Sequence, residues 1–532
     1  PQGGPPVTND ALAHPHPLPA PSWSRRDGRT ETAGDGPTAV GLTGHLDETD
    51  RAGLTHLLRA ERTALAGSGL KLDPAESETV LDHLAEIAVR ARCWQDHPAL
   101  TAAEKDTLAL ERILPVARRI ACTRLGRQHH RPTTRARTDA DEATLAASAA
   151  MADRGLLTKA RGRTVLAWTR VMAQETTTHP YRATGPDGSR PGGAGTLFDP
   201  GTRDMLGDIK QMAVDFNALA DDIADEVHDR ELLAAMAAIP GTGGRIRRTA
   251  DAGLAAAARR LPKGWRPYYD TMAHIWESLV QQLLELSGER AFRRHEAQLC
   301  RDYRAIVGCL SDNLELNADP ARIPPAAEHT RLMLEGHNMN FLAFETMDRM
   351  VADSRCDTLP APDSDTYRAF RRLCLLLQGN GQCANALATW RAELEEGCLA
   401  NEVVLTALGH DTGSGPSDPS DLSGSFDPSG IGLAADLRRL CAARAAHPTT
   451  PGRDRVPGRD REHIARLTAD IIHRVEASGA ERRCHQRWTK RRAAALDLVR
   501  AHPAIDTFVD TERLIAGHDT LLAMYLVYEG RI

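Results

Sequence analysis

A chain of 532 residues, 41% hydrophobic but only 4% aromatic, is long enough to bury one large core or two ordinary ones. Its 66 basic and 72 acidic residues are dispersed and leave a formal charge of −6, which excludes the basic footprint of a nucleic-acid binder. Ten cysteines without a C-x-x-C pair argue against a disulfide scaffold or a thiol metal site, and fit reduced thiols in a cytoplasm.

The first 45 residues, rich in Pro, His and Gly, hold too few large apolar side chains to offset the entropy of ordering them, so a disordered tail is expected there. They also lack the basic-then-apolar order of a signal peptide. No run of about eighteen apolar residues follows, so no membrane span is expected. From residue 46 to 532 a single all-α domain is predicted, because Ala, Leu, Arg and Glu dominate and β-alternation is hard to find. Apolar residues recur at helical spacing through "LTHLLRAERTALA", "ETVLDHLAEIAVRAR" and "TLALERILPVARRIACTRLG", with Asp73 and Pro74 marking one helix start. After "RTVLAWTRVMAQE" comes a Gly- and Pro-rich stretch, 178–204, predicted as a long surface loop.

The helical pattern resumes in "MLGDIKQMAVDFNALADDIADEVHD". It continues through "WRPYYDTMAHIWESLVQQLLELSGERAF", "AQLCRDYRAIVGCLSDNLELN", "FLAFETMDRMVAD" and the long stretch holding "NALATWRAELEEG". Low-complexity segments at 410–430 and 447–461 are predicted to be flexible. Two last helices close the pattern.

Within the first of these helices stands "DDIAD". Asp221 and Asp225, at i and i+4, lie one above the other on a helix, with Asp222 beside them. Three carboxylates this close repel one another unless a hard cation with oxygen preference, such as Mg²⁺ shared with phosphate, sits among them. A solvated acidic face is the competing reading, and the uncharged Val214, Asn217 and Ala218 just upstream argue that the patch is local. Far along the chain, Asn385, Thr389 and Glu393 follow at i, i+4 and i+8, a helical column of amide, hydroxyl and carboxylate oxygens.

In these two motifs, in this order, the chain resembles the class I terpene synthases, whose all-α barrel carries DDxxD and NxxxSxxxE (Thr allowed for Ser) on opposite helices at its mouth. The resemblance covers mainly residues 140–410 and the last helices. It implies three Mg²⁺ ions held by Asp221, Asp222, Asp225, Asn385, Thr389 and Glu393, bridging the diphosphate of a prenyl substrate. It also implies a diphosphate-sensing arginine, matched by Arg331 ahead of Glu335 and the helix-breaking Gly336. Arg391 stands near the basic residue that the family often has directly before the glutamate, where this chain has Ala392. Phe216, Trp168, Trp276, Phe341 and Phe344 are the candidates to line an apolar cavity in which a carbocation rearranges.

Two departures stand out: Ala386 replaces the family's common Asp after Asn, and the closing Arg-Tyr pair is missing. "ERRCHQRWTKRR", with Arg487 and Lys490, is a basic helix expected to be a solvated face. The expected activity is ionisation of geranylgeranyl or a copalyl-type diphosphate followed by cyclisation. Chain elongation, as in the related trans-prenyl diphosphate synthases, is the alternative, and it needs a second aspartate-rich motif where this chain has Asn385, Thr389 and Glu393. The absence of DxDD argues against protonation-initiated chemistry. A non-catalytic helical scaffold is the bland reading, and a homodimer is left open.

Overall fold

The computed structural model describes residues 48–67, 71–92, 114–115, 117–118, 139–140, 142–147, 179–182, 196–227, 229–241, 244–246, 252–261, 264–318, 339–396, 399, 401–408, 429–445 and 458–528. Among them the chain is helical, and β-structure is confined to isolated bridges, among them Tyr181 to Val509 and Arg182 to Thr196. The all-α expectation therefore holds at the level of class. No helix among the described residues is long and apolar enough to cross a membrane.

The helices run in the order α1 (Glu48–Gly67), α2 (Pro74–Arg92), α3 (Pro200–Asp222), α4 (Arg230–Ala237), α5 (Ala252–Arg260), α6 (Arg266–Ala318), α7 (Phe341–Asp353), α8 (Asp365–Glu396), α9 (Glu402–Ala407), α10 (Ser429–Ala445), α11 (Gly458–Ala477), α12 (Ala480–Ala501) and α13 (Thr511–Tyr528). α2 starts where Asp73 and Pro74 predict it: the Glu76 amide donates to Asp73 Oδ1 at 2.8 Å, and the Glu76 carboxylate accepts from the Asp73 amide at 3.0 Å. This reciprocal pair is a capping box.

α6 is a hairpin of two arms. On a continuous helix rising 1.5 Å per residue, Trp276 and Tyr303 would stand about 40 Å apart. Their ring centroids are 4.5 Å apart. The reversal occurs at Gly288, whose backbone (φ 73°, ψ 156°) lies in a region that side-chain-bearing residues scarcely enter.

α7 is the organising strut. Lys210 and Asn217 of α3 meet Asp348 and the residue before α7, Asn340, in that order. His295 and Asp302 of the second α6 arm meet Asp353 and Thr346. Arg371 and Gln378 of α8 meet Glu345 and the Leu342 amide. In each pair of helices one number rises as the other falls. α3, the second α6 arm and α8 thus all run antiparallel to α7, and so parallel to one another. α13 joins them: Phe508 just before it packs on Phe370, and Leu521 reaches Gly381. α12 runs the opposite way, from Glu481 beside Arg391 to Arg491 beside Gly379.

The core has two parts. The larger gathers α3, α6, α7, the first half of α8 and the chain around Ile505–Ile515; the smaller gathers the second half of α8 with α9 to α12. α8 contributes buried side chains to both.

The predicted surface loop 178–204 differs at its described edges. His179, Tyr181 and Phe198 are buried, and the chain there is pinned by bonds from Arg182 N to Phe508 O and from Asp510 N to Pro180 O. α3 begins at Pro200, because Asp199 accepts from the Thr202 amide and proline fits the first helical position. The tail 1–45 and residues 183–195, 410–428 and 447–457 of the other expected loops lie outside the described residues.

Candidate functional site

The common direction of α3 and α8 decides where the two motifs fall. Asn217 touches Asn340 at the start of α7, and Gly381 faces the Phe341 ring of the same segment. Asp221 and Asn385 each lie four residues further on, about 6 Å along their helices. Both motifs therefore rise beyond the N-terminus of α7, at one end of the bundle. That N-terminus is the positive end of the α7 dipole. The second α6 arm ends and α7 begins at this same end; Arg331, Glu335 and Gly336, in the stretch between them, lie outside the described residues.

The aspartate motif does not sit on plain α-helix. α3 stops at Asp222, and Ile223–Val227 form a π-turn. The Ile223 amide turns to the Ala220 carbonyl, and the Leu219 carbonyl accepts the Tyr268 hydroxyl at 2.8 Å. Asp222 is fully buried and Asp221 is half-buried. Burial and the Asp222 charge push the Tyr268 phenol well above its usual pKa. The side chain of Asp225 lies outside the described residues.

On α8 the three predicted ligands share a face. Thr389 donates its hydroxyl to the Asn385 carbonyl at 2.8 Å and to Glu393 Oε1 at 2.5 Å. One proton serves both bonds, so turning it wholly onto the Asn385 backbone carbonyl withdraws it from Oε1 and leaves an Oγ1 lone pair facing that oxygen. Neighbouring ligands of an octahedral Mg²⁺ at 2.0–2.1 Å lie about 2.9 Å apart. The two oxygens would have to separate by about 0.4 Å, which a side-chain rotation supplies. The oxygen-only donors fit a hard divalent cation. Among the described residues no group of three His, Cys, Asp or Glu gathers as a metal cluster; the α8 column contains one carboxylate and so is not of that kind.

Arg391 is turned away from this column. It pairs with Glu476 and Glu481 of α11 and α12 at 2.8 Å and lies over the Trp390 ring. Arg487 is no part of a solvated face: its side chain is 13% exposed and paired with Glu402 at 2.9 Å, because α12 turns this face onto α8 and α9.

The predicted aromatic residues are packed against one another. Phe216, Trp276 and the unforeseen Tyr303 form one trio. Phe341 lies 6.4 Å from Phe344 and 4.2 Å from the ring of His518 on α13. Burial pushes the His518 pKa down to about 3, with His179 adding to the effect. A cavity of about 30 Å³, water-sized, lies between the second α6 arm, the start of α7 and α8, lined by Asp302, Ile306, Asn340 and Gln378 among others. Trp168 lies outside the described residues.

Sequence reasoning missed the charged network on α7. Asp348 Oδ2 accepts from Lys210 Nζ at 2.6 Å and from the His179 backbone amide at 2.8 Å, with His179 Nδ1 also at 2.8 Å. Glu345 accepts from Tyr181, Tyr367 and Arg371. Burial raises the Glu345 carboxyl pKa, but the Arg371 and His179 charges outweigh it and hold it below its ordinary value. The signal was Glu345, Asp348 and Arg349 at i, i+3 and i+4 inside an otherwise apolar helix. Cys374 Sγ, 3.7 Å from His179 Nε2, completes what resembles a Cys-His-Asp triad. All three residues are buried, and burial pushes the thiol well above its usual pKa. A thiolate nucleophile needs the reverse of both conditions.

Compared with known proteins, the chain matches no family model, no curated protein and no solved structure.

Proposed function

We propose that the chain is a Mg²⁺-dependent class I terpene synthase that ionises a prenyl diphosphate and cyclises the carbocation, with geranylgeranyl or a copalyl-type diphosphate as the favoured substrate. One observation carries the reading: two oxygen-rich motifs, remote in sequence, stand on parallel helices that both continue past the α7 N-terminus. Asp221, Asp222 and Asp225 would hold Mg²⁺ from one side and Asn385, Thr389 and Glu393 from the other. The metal would supply neutralisation of charge on the departing diphosphate. The positive end of α7 adds to that neutralisation, and the packed aromatic side chains below form an apolar floor that excludes water from a cation.

Chain elongation is the second reading, disfavoured because Asn385 and Thr389 stand where those enzymes carry aspartates. A helical scaffold has no use for a Mg²⁺-diphosphate site. The test is incubation with geranyl, farnesyl, geranylgeranyl and copalyl diphosphates with and without chelator, with extracts read by gas chromatography and mass spectrometry. A cyclic hydrocarbon or alcohol that vanishes with chelator is expected, and Asn385→Ala or Glu393→Ala should abolish it while leaving helicity unchanged. A longer diphosphate formed in the presence of isopentenyl diphosphate would favour elongation. No Mg²⁺-dependent turnover of any substrate, and no thermal shift with Mg²⁺ and diphosphate, would leave the scaffold.

A further inference from the structure

Glu393 has a second partner that neither motif contains. The side-chain amide of Asn401, in the connection between α8 and α9, donates to Glu393 Oε2 at 2.9 Å and to the Ala386 carbonyl at 3.3 Å. Its oxygen accepts from the Val403 amide at 2.8 Å and caps α9. Asn401 is 1% exposed. All three bonds agree on one orientation of the amide. Reversing it would set an N–H against the Val403 N–H and an oxygen against the two acceptors, so the orientation is fixed by chemistry.

We propose that Asn401 is a positioning residue for the metal site, holding the plane of the Glu393 carboxylate so that Oε2 stays engaged and Oε1 faces Thr389. A glutamate carboxylate on three rotatable bonds sweeps several orientations, and ordering it on binding subtracts from affinity. Here that ordering exists beforehand, because the tether runs to two fixed points of backbone, the Ala386 carbonyl on α8 and the Val403 amide on α9. The arrangement matches the outer hydrogen bonds that orient metal-binding carboxylates elsewhere. The inference rests on the reading of Asn385, Thr389 and Glu393 as Mg²⁺ ligands.

Two substitutions separate positioning from folding. Asn401→Asp keeps the oxygen that caps α9 but sets a carboxylate oxygen against Glu393 Oε2 and the Ala386 carbonyl. Asn401→Ser keeps a capping oxygen, adds no charge and is too short to reach Glu393. Each variant and the unmodified protein are titrated with Mg²⁺ in the presence of inorganic diphosphate, with calorimetry and thermal shift as readouts, and urea midpoints are measured without metal. Both variants should need about 10- to 100-fold more Mg²⁺ for half-saturation, while Asn401→Ser keeps a urea midpoint close to that of the unmodified protein. Equal half-saturation in all three proteins overturns the positioning role and leaves the metal site standing. Absence of Mg²⁺-dependent diphosphate binding in the unmodified protein overturns both.

Discussion

Replacing Lys210 with Met tests the account of the buried network. Lys210 Nζ and Asp348 Oδ2 are 2.6 Å apart, and both side chains are fully buried. Burial pushes the Lys210 ammonium pKa down, and Asp348 offsets that only in part. Methionine matches the lysine stem, so packing is nearly retained. What is lost is the cation, leaving the Asp348 carboxylate buried with only the His179 donors. Removing one partner of such a pair costs about 3–5 kcal/mol, chiefly through the uncompensated charge left behind. Unfolding entropy of about 2.1 cal/mol/K per residue over 532 residues amounts to about 1.1 kcal/mol/K. If the chain unfolds as one unit, the melting midpoint should therefore fall by about 3–5 °C. Urea denaturation followed by far-ultraviolet circular dichroism gives the free energy directly. Adding Asp348→Asn should recover part of the loss, because the orphaned charge is removed while an acceptor oxygen remains for His179. A Lys210→Met protein within about 1 kcal/mol of the unmodified one, or a double variant no more stable than the single, would refute the reasoning.

Two further outcomes concern backbone and pH. Gly288→Ala should destabilise the fold by about 1–3 kcal/mol, although no atom beyond the adjoining chain lies within 4 Å of the added methyl; unchanged urea unfolding would show that the α6 hairpin tolerates another backbone geometry. His518, at about 3 against an ordinary 6.5, binds its proton more readily in the unfolded chain. Stability from its neutral form is then complete above pH 6.5 and lost as pH falls toward 3. His518→Phe should flatten that acid limb in urea titrations run at successive pH values, and an unchanged slope would refute the assignment.

The sequence by itself determined the all-α class, the α2 start at Asp73 and Pro74, and the residue types of both oxygen-rich motifs, because helix periodicity, capping and ligand chemistry are local properties. It misjudged the described edges of 178–204, since Tyr181 enters the core through partners more than a hundred residues away and Phe198 packs on Tyr181. It also assumed an unbroken α-helix through the aspartate motif, where a π-turn runs from Ile223 to Val227. Only the tertiary structure decided that α3 and α8 run parallel and both continue past the start of α7, that Arg391 and Arg487 are spent on ion pairs, and that Asn401 reaches back to Glu393. The physical reason is the same in each case. Direction, pairing and burial depend on which helix faces lie against one another, and a one-dimensional pattern records only which faces are able to.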